Sequence, residues 1–289
     1  MYHINEINLD FEPRRKILSQ ISKVPKEPEM TEFESAFLCG LLNKFQPKKI
    51  LEIGVAAGAT TSIILQCLED INNKNNMGGG GINQDYHMFS VDFAKNFYRD
   101  ETKLTGFMAE EAKQLLNVKN HKFYLGAGVT SFLEEIGKDI EFVILDTMHI
   151  LPGEILDFLV VLPYLKSNAV VCLHDVALCQ RSPGDRNSTA TGLLFSSVTA
   201  DKMINLLPDD VNLKFAYPNI GAFQINDDTF KNVINVVMSL LIPWHYLPPV
   251  NELKNYNLFV NKFYDKDICK IYDEMIKMNV YNMVMPTFK

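Results

Sequence analysis

Two hydrophobic rhythms alternate along the middle of this chain. From Thr31 to Phe45 apolar residues fall at helical spacing (Phe33, Ala36, Phe37, Leu41, Leu42), with Thr31 placed as a cap, which predicts a helix. Lys49–Ile53 then reads as a buried strand, and Gly54 and Gly58 lead into an amphipathic helix over Ser62–Glu69. Further strands are predicted at His87–Asp92, Lys122–Gly126, Glu141–Asp146 and Ala169–His174. Helical patterns fill Glu110–Leu116, Ser131–Ile136 and Glu154–Leu165 between them. Such alternation implies a mostly parallel sheet covered on both faces. Leu213–Tyr217 and Gly221–Ile225 suggest a closing strand pair, and helical patterns at Thr229–Leu241 and Asn261–Met278 finish the chain. With no internal repeat, the organisation expected is a helical lead-in over 1–47, a central α/β domain over 48–227 and a helical extension over 228–289.

Composition narrows the partners. Apolar residues make up 47% of the 289, enough for a sizeable core. A net charge of −7 without a dense Lys/Arg cluster argues against a nucleic-acid partner and suits a neutral or cationic small molecule. No apolar run approaches the roughly 18 residues of a membrane span. The start, Met1 to Glu6, lacks the basic-then-apolar pattern of a secretory signal. Five scattered cysteines read as reduced thiols, so a cytoplasmic protein is expected. The glycine-rich stretch over 72–81 reads as a flexible surface insertion.

The glycine turn after the first strand of the domain is the place to look for chemistry. A strand–turn–helix unit builds a small-molecule site at the carboxyl end of a parallel sheet, and the helix amino terminus there favours an anionic group. A dinucleotide fingerprint would need glycine at positions 54, 56 and 59, but Ala56 and Ala59 stand at two of them. A P-loop needs Lys-Ser or Lys-Thr after its last glycine, where this chain has Ala59-Thr60. Asp92 ends the next strand, where a carboxylate can accept ribose hydroxyls or simply form a turn. Gly126-Ala127-Gly128 is small enough to admit a flat ring. Asp146, His149, His174 and Asp175 lie at two further strand ends, and their convergence would hold a divalent cation; oxygen ligands favour Mg²⁺, Mn²⁺ or Ca²⁺ over zinc.

The pattern Glu52-x-Gly54-x-x-x-Gly58 resembles the first motif of class I S-adenosylmethionine (SAM) methyltransferases. Together with Asp92, Gly126-Ala127-Gly128, Asp146-x-x-His149 and His174-Asp175 it is similar to the metal-dependent O-methyltransferases of the catechol type. The run Ile144 to His149, then Leu162-Pro163-Tyr164-Leu165 and Leu173 to Val176, resembles the bacterial branch that methylates sugars of macrolides and glycans. The similarity spans about residues 30 to 226. It implies a Rossmann-like, doubly wound, seven-stranded sheet whose cofactor side uses Glu52, Gly54, Gly58, Thr60, Asp92, Ala127 and Gly128. The resemblance gives Gly54 and Gly58 the turn around the methionine part, Thr60 its carboxylate, Asp92 the ribose, and Ala127 and Gly128 the adenine. It also implies Asp146, His174 and Asp175 as ligands of a divalent cation, Mg²⁺ first, although His174 stands where these enzymes carry an acidic ligand. His149 takes the general-base position, which is Lys in catechol enzymes and His in sugar-modifying relatives.

The function expected is methyl transfer from SAM to a hydroxyl of a small molecule or sugar. An NAD-dependent oxidoreductase and a SAM-binding protein without turnover are the rival readings, and self-association is left open. The stretch Arg181 to Thr189 reads as a loop, either a lid over the substrate or a surface connection. The run Ile242 to Pro249 reads as packing of the extension or as an aromatic substrate wall.

Overall fold

The structure, a computed structural model, describes residues 1–22, 30–77, 86–181, 183–208 and 216–284. Its elements begin with β1 (Tyr2–Ile4), α1 (Glu12–Leu18), α2 (Glu32–Phe45), β2 (Lys49–Ile53), α3 (Ala59–Met77) and β3 (His87–Asp92). A hairpin of β4 (Asn96–Phe97) and β5 (Asp100–Leu104) follows, then α4 (Phe107–Leu116), β6 (His121–Leu125), α5 (Leu133–Ile136), β7 (Ile140–Leu145) and α6 (Gly153–Val161). The last third holds β8 (Leu165–His174), α7 (Leu178–Arg181), α8 (Ala190–Ser197), β9 (Asp201–Ile204) and β10 (Ile220–Gln224). It closes with α9 (Asp227–Lys231), α10 (Ile234–Met238), α11 (Val250–Phe263) and α12 (Lys266–Val284).

One sheet runs β1-β9-β10-β8-β7-β2-β3-β6, with β10 antiparallel to both its neighbours and every other pairing parallel. Successive strands step outward from β2 to β3 and β6 on one side, and from β7 to β8 on the other. The order therefore reverses between β2 and β7, the point in such a topology where ligand sites form.

The sheet has eight strands rather than the expected seven. Tyr2–Ile4 pairs in parallel with Lys202–Ile204, so the lead-in contributes an edge strand as well as helices. Three residues are too few to show a period of two, which is why β1 escapes pattern reading. The predicted strand over 213–217 falls largely outside the described residues, as do the four glycines after α3. The neighbour of β10 is instead β9. The helix predicted at Asn261–Met278 is two helices, because Asp265 accepts the N–H groups of Asp267 and Ile268 and starts α12 afresh. Thr229–Leu241 likewise breaks into α9, α10 and a short 3₁₀ turn.

Side chains alternate across the strands into two cores. Ile50, Met88, Phe142, Ile144 and Cys172 pack under the lead-in and α3. Leu51, Ile53, Val143, Leu145 and Leu173 pack under α6 and α8, and Tyr256, Val260, Tyr272 and Ile276 of the extension join them. Burying an aromatic of this size contributes about 2–3 kcal/mol, so α11 and α12 are bound to the sheet layer by their apolar stripe. That packing sets the extension beside the carboxyl edge.

Candidate active site

The turn after β2 is shaped by close approach. Gly54 (φ 93°) and Gly58 (φ 87°) both take left-handed backbone. A Cβ on Gly54 would overlap the carbonyl of Asp146, so the tips of β2 and β7 meet only because this position is glycine. Asp92 at the tip of β3 holds the turn: its Oδ2 accepts the N–H groups of Val55 (2.8 Å) and Ala56 (3.1 Å), and its Oδ1 accepts that of Ala94 (2.8 Å). Thr60 is buried in the first turn of α3.

Glu52, the expected cofactor-side acid of the motif, is enclosed at the end of β2. Its Oε2 accepts the hydroxyls of Thr61 (2.7 Å) and Ser90 (2.6 Å) beneath the turn. Burial pushes its carboxyl up to about 8 against those two hydrogen bonds. An uncharged acid therefore ties β2, β3 and α3 together from below.

After β6, Gly126 (φ 93°) lies under the stem of Lys95, and a Cβ there would strike it. A Cβ on Gly128 would strike the carboxylate of Glu252, carried by α11, whose Oε2 also accepts the Thr130 hydroxyl at 3.2 Å.

The tips of β7 and β8 bring the acidic and imidazole groups together. Asp146, His149 and Asp175 each offer one ligand atom within 4.8 Å of the other two. His149 Nε2 stands 3.7 Å from Asp146 Oδ1 and 3.2 Å from Asp175 Oδ2, while its Nδ1 faces Glu154 Oε1 at 3.3 Å. His149 and Asp175 both hold left-handed backbone (φ 60° and 62°). The first is held because Glu154 Oε1 accepts the N–H groups of His149 (2.8 Å) and Thr147 (3.3 Å). The second is held by Asn219, whose side chain donates to Asp175 Oδ1 and accepts from Ala177 N.

His174 stands behind this cluster. Its Nδ1 approaches Asp146 Oδ1 (3.0 Å) and Asp175 Oδ2 (3.5 Å), and its Nε2 approaches Glu34 Oε2 (3.4 Å). Burial alone would lower His174, but Asp146, Glu34 and Asp175 outweigh it and raise it well above the ordinary value. In the same way burial opposes protonation of His149, and Glu154, Asp146 and Asp175 push it up to about 9. Asp146 is desolvated yet held low by the two imidazoles, whereas burial and the Asp146 charge raise Asp175. The same carboxylates thus favour the protonated form of both imidazoles, whose positive charge offsets part of theirs.

Sequence reading missed Glu34, Glu154 and Asn219. Glu34 was visible only as the partner of Thr31 in the α2 capping box, which it does form while also reaching His174. Glu154 reads as an ordinary first-turn acid of α6. The stretch after Asp175 folds as α7, a 3₁₀ turn and then α8, and Ala190 N donates to the His149 carbonyl (3.0 Å), so it borders the cluster. In the extension Trp244 is buried, His245 N donates to Leu151 O (3.1 Å), and Tyr256 donates to the buried Asp157 (2.6 Å).

Residues 51–176 match the family model described as a methyltransferase domain. No curated protein matches the chain. Among solved structures it is similar to the O-methyltransferase TomG of Streptomyces achromogenes in complex with SAM, with 16% identity over 76% of this chain and 92% of that one and a TM-score of 0.48. It is also similar to the Bacillus cereus O-methyltransferase in complex with SAH (13% identity, 76% and 93% covered, TM-score 0.46). A third is the SAH-bound methyltransferase PaMTH1 of Podospora anserina (12% identity, 77% and 91% covered, TM-score 0.48). The matched stretch includes the glycine turn at the point where the strand order of the sheet reverses. The match runs from β2 to just past the tip of β8. Among the described residues no helix is long and apolar enough to cross a membrane.

Proposed function

We propose that the protein transfers a methyl group from SAM to a hydroxyl of a small molecule or sugar, with a divalent cation at the β7 and β8 tips and His149 as base. The observation that carries this reading is the convergence of Asp146, His149 and Asp175 within 4.8 Å beside the Gly54 turn. The donor set fits a hard divalent cation, because two carboxylates face one point there and only imidazoles neutralise them. Asp146 and Asp175 would hold it. His174, with both ring nitrogens turned to carboxylates, is better suited to orient them than to bind the ion itself. Mg²⁺ is the first choice by oxygen ligation.

The turn fits SAM as well. Gly54 and Gly58 open the backbone, the start of α3 with Thr60 would receive the amino-acid carboxylate, and Asp92 stands at the ribose position, with Ala127 and Gly128 beyond it. SAM, when bound there, would supply an electrophilic methyl on a sulfonium and leave as a neutral thioether. A divalent cation held by Asp146 and Asp175 would supply positive charge that makes a nearby hydroxyl more acidic and lowers the proton affinity of His149. His149 Nε2 would accept the acceptor's hydroxyl proton, freeing that oxygen to take the methyl group. Glu154 holds the imidazole in place from the other side. The surroundings are rich in carboxylates (Glu34, Glu154, Asp157), which suits an uncharged or cationic acceptor. The NAD reading loses support, because the matched family is a methyltransferase and Ala56 replaces the middle glycine.

The test is methyl transfer from labelled SAM to a panel of polyols, sugars and phenols, with Mg²⁺ and with excess chelator. Turnover should require the cation, and His149→Ala should lower the rate most near neutral pH. Full turnover in chelator would remove the cation, and an unchanged pH–rate profile in His149→Ala would remove the base.

A further inference from the structure

The adenine side of the proposed cofactor site carries a group from outside the matched domain. Glu252 sits in the first turn of α11, about 75 residues beyond the last matched position. Its carboxylate lies against Gly128 so closely that any side chain at 128 would collide with it. Thr130, in the 3₁₀ turn after β6, donates its hydroxyl to Oε2 at 3.2 Å. No hydrogen bond to Oε1 is present among the described residues. On the other flank, the stem of Lys95 covers Gly126. The loop Gly126-Ala127-Gly128 is thus bracketed by a cation and a carboxylate, and the carboxylate keeps acceptor capacity to spare.

The smallness of residue 128 therefore has a second cause beside the approach of a flat ring: it admits a carboxylate from the extension. A purine carrying a 6-amino group presents a donor that needs an acceptor when it is taken out of water. A 6-oxo purine presents an acceptor at the same place, which a carboxylate repels.

We propose that Glu252 is a specificity-determining residue of the cofactor site, accepting a hydrogen bond from the 6-amino group of the adenine and selecting an adenosyl over an inosyl cofactor. The inference rests on the SAM reading above. It also gives the C-terminal extension a function: α11 completes a site that the matched domain leaves open.

The experiment titrates the full-length protein with S-adenosylhomocysteine and with S-inosylhomocysteine by calorimetry, in the wild type, Glu252→Ala and Glu252→Gln. The wild type should bind the adenosyl compound at least about tenfold more tightly, in line with the loss of a hydrogen bond to a charged group. Glu252→Ala should erase most of that preference, weakening binding of the adenosyl compound and, with the repulsion gone, binding the inosyl compound at least as tightly as the wild type does. Glu252→Gln should narrow it, because an amide can accept from the amine or donate to the 6-oxo group. A preference unchanged in both variants would overturn the inference, and so would tighter binding of the adenosyl compound by Glu252→Ala, which would make the carboxylate an obstruction. Circular dichroism and melting of each variant separate lost folding from lost recognition. If the wild type binds neither compound, the SAM reading itself fails, a result distinct from binding without discrimination.

Discussion

Replacing Glu52 with glutamine should stabilise the protein, and increasingly so as the pH rises. Glu52 is fully enclosed, its Oε1 has no partner, and burial lifts its carboxyl from 4.5 to about 8. The sign follows from proton counting. Between pH 4.5 and about 8 the native state keeps the proton while the unfolded chain releases it, so raising the pH favours unfolding by about 1.4 kcal/mol per unit. At pH 7 the accumulated cost is roughly 3 kcal/mol, a large share of a typical folding free energy. Below 4.5 both states are protonated and the cost vanishes. Glutamine keeps an oxygen for Thr61 and Ser90, resembles the protonated acid in shape, and has no proton to lose. Urea unfolding of the wild type and Glu52→Gln at pH 5, 6, 7 and 8 measures the difference directly. Other titrating groups cancel between the two proteins, so the gap should open by roughly 3 kcal/mol or more from pH 5 to pH 8. Parallel stability curves, with a gap that changes by less than about 0.5 kcal/mol, would show that Glu52 ionises freely and refute the reasoning.

Three further outcomes are expected. Gly54→Ala places a methyl in the Asp146 carbonyl at φ 93°, and should lower stability by about 3 kcal/mol or more in thermal melts; a near-wild-type melt would mean that the β2 and β7 tips are not in contact. Asp175→Asn should weaken Mn²⁺ binding about tenfold or more in a paramagnetic resonance titration while leaving SAH affinity within about twofold, and equal Mn²⁺ affinity would remove Asp175 from the cation site. Tyr256→Phe deletes the 2.6 Å bond to Asp157, which burial pushes up to about 7, and should cost about 1–3 kcal/mol in urea unfolding. Because that bond favours the charged carboxylate, the cost should be greater at pH 8 than at pH 6.

The fold was legible where burial imposes a rhythm. β2, β3, β6, β7, β8 and β10 carry continuous apolar runs or alternation because both faces of the sheet are covered, and α2 shows its cap and stripe in plain order. β1 and β9 are short edge elements whose pairing with each other is set by residues some 200 positions apart, and no local pattern encodes that. At the site, Gly54, Asp92, Asp146, His149 and Asp175 were readable because strand tips in this topology must converge. Glu34 and Glu154 were not, since each reaches the cluster from the first turn of a helix, where an acid is already favoured by the helix dipole. Glu52 was readable as part of the glycine-turn motif, whereas its two hydrogen bonds from Thr61 and Ser90 inside the core were not, since they join residues from three separate elements.

The central claim is that the Gly54 turn and the tip of β3 hold SAM, and calorimetric titration with S-adenosylhomocysteine tests it most directly. The wild type should bind one equivalent, and Asp92→Ala should bind on the order of a hundredfold more weakly, because it loses the acceptor for Val55 N and Ala56 N along with any ribose contact. Absence of any binding heat in a folded wild type, or an affinity that Asp92→Ala leaves untouched, would contradict the account.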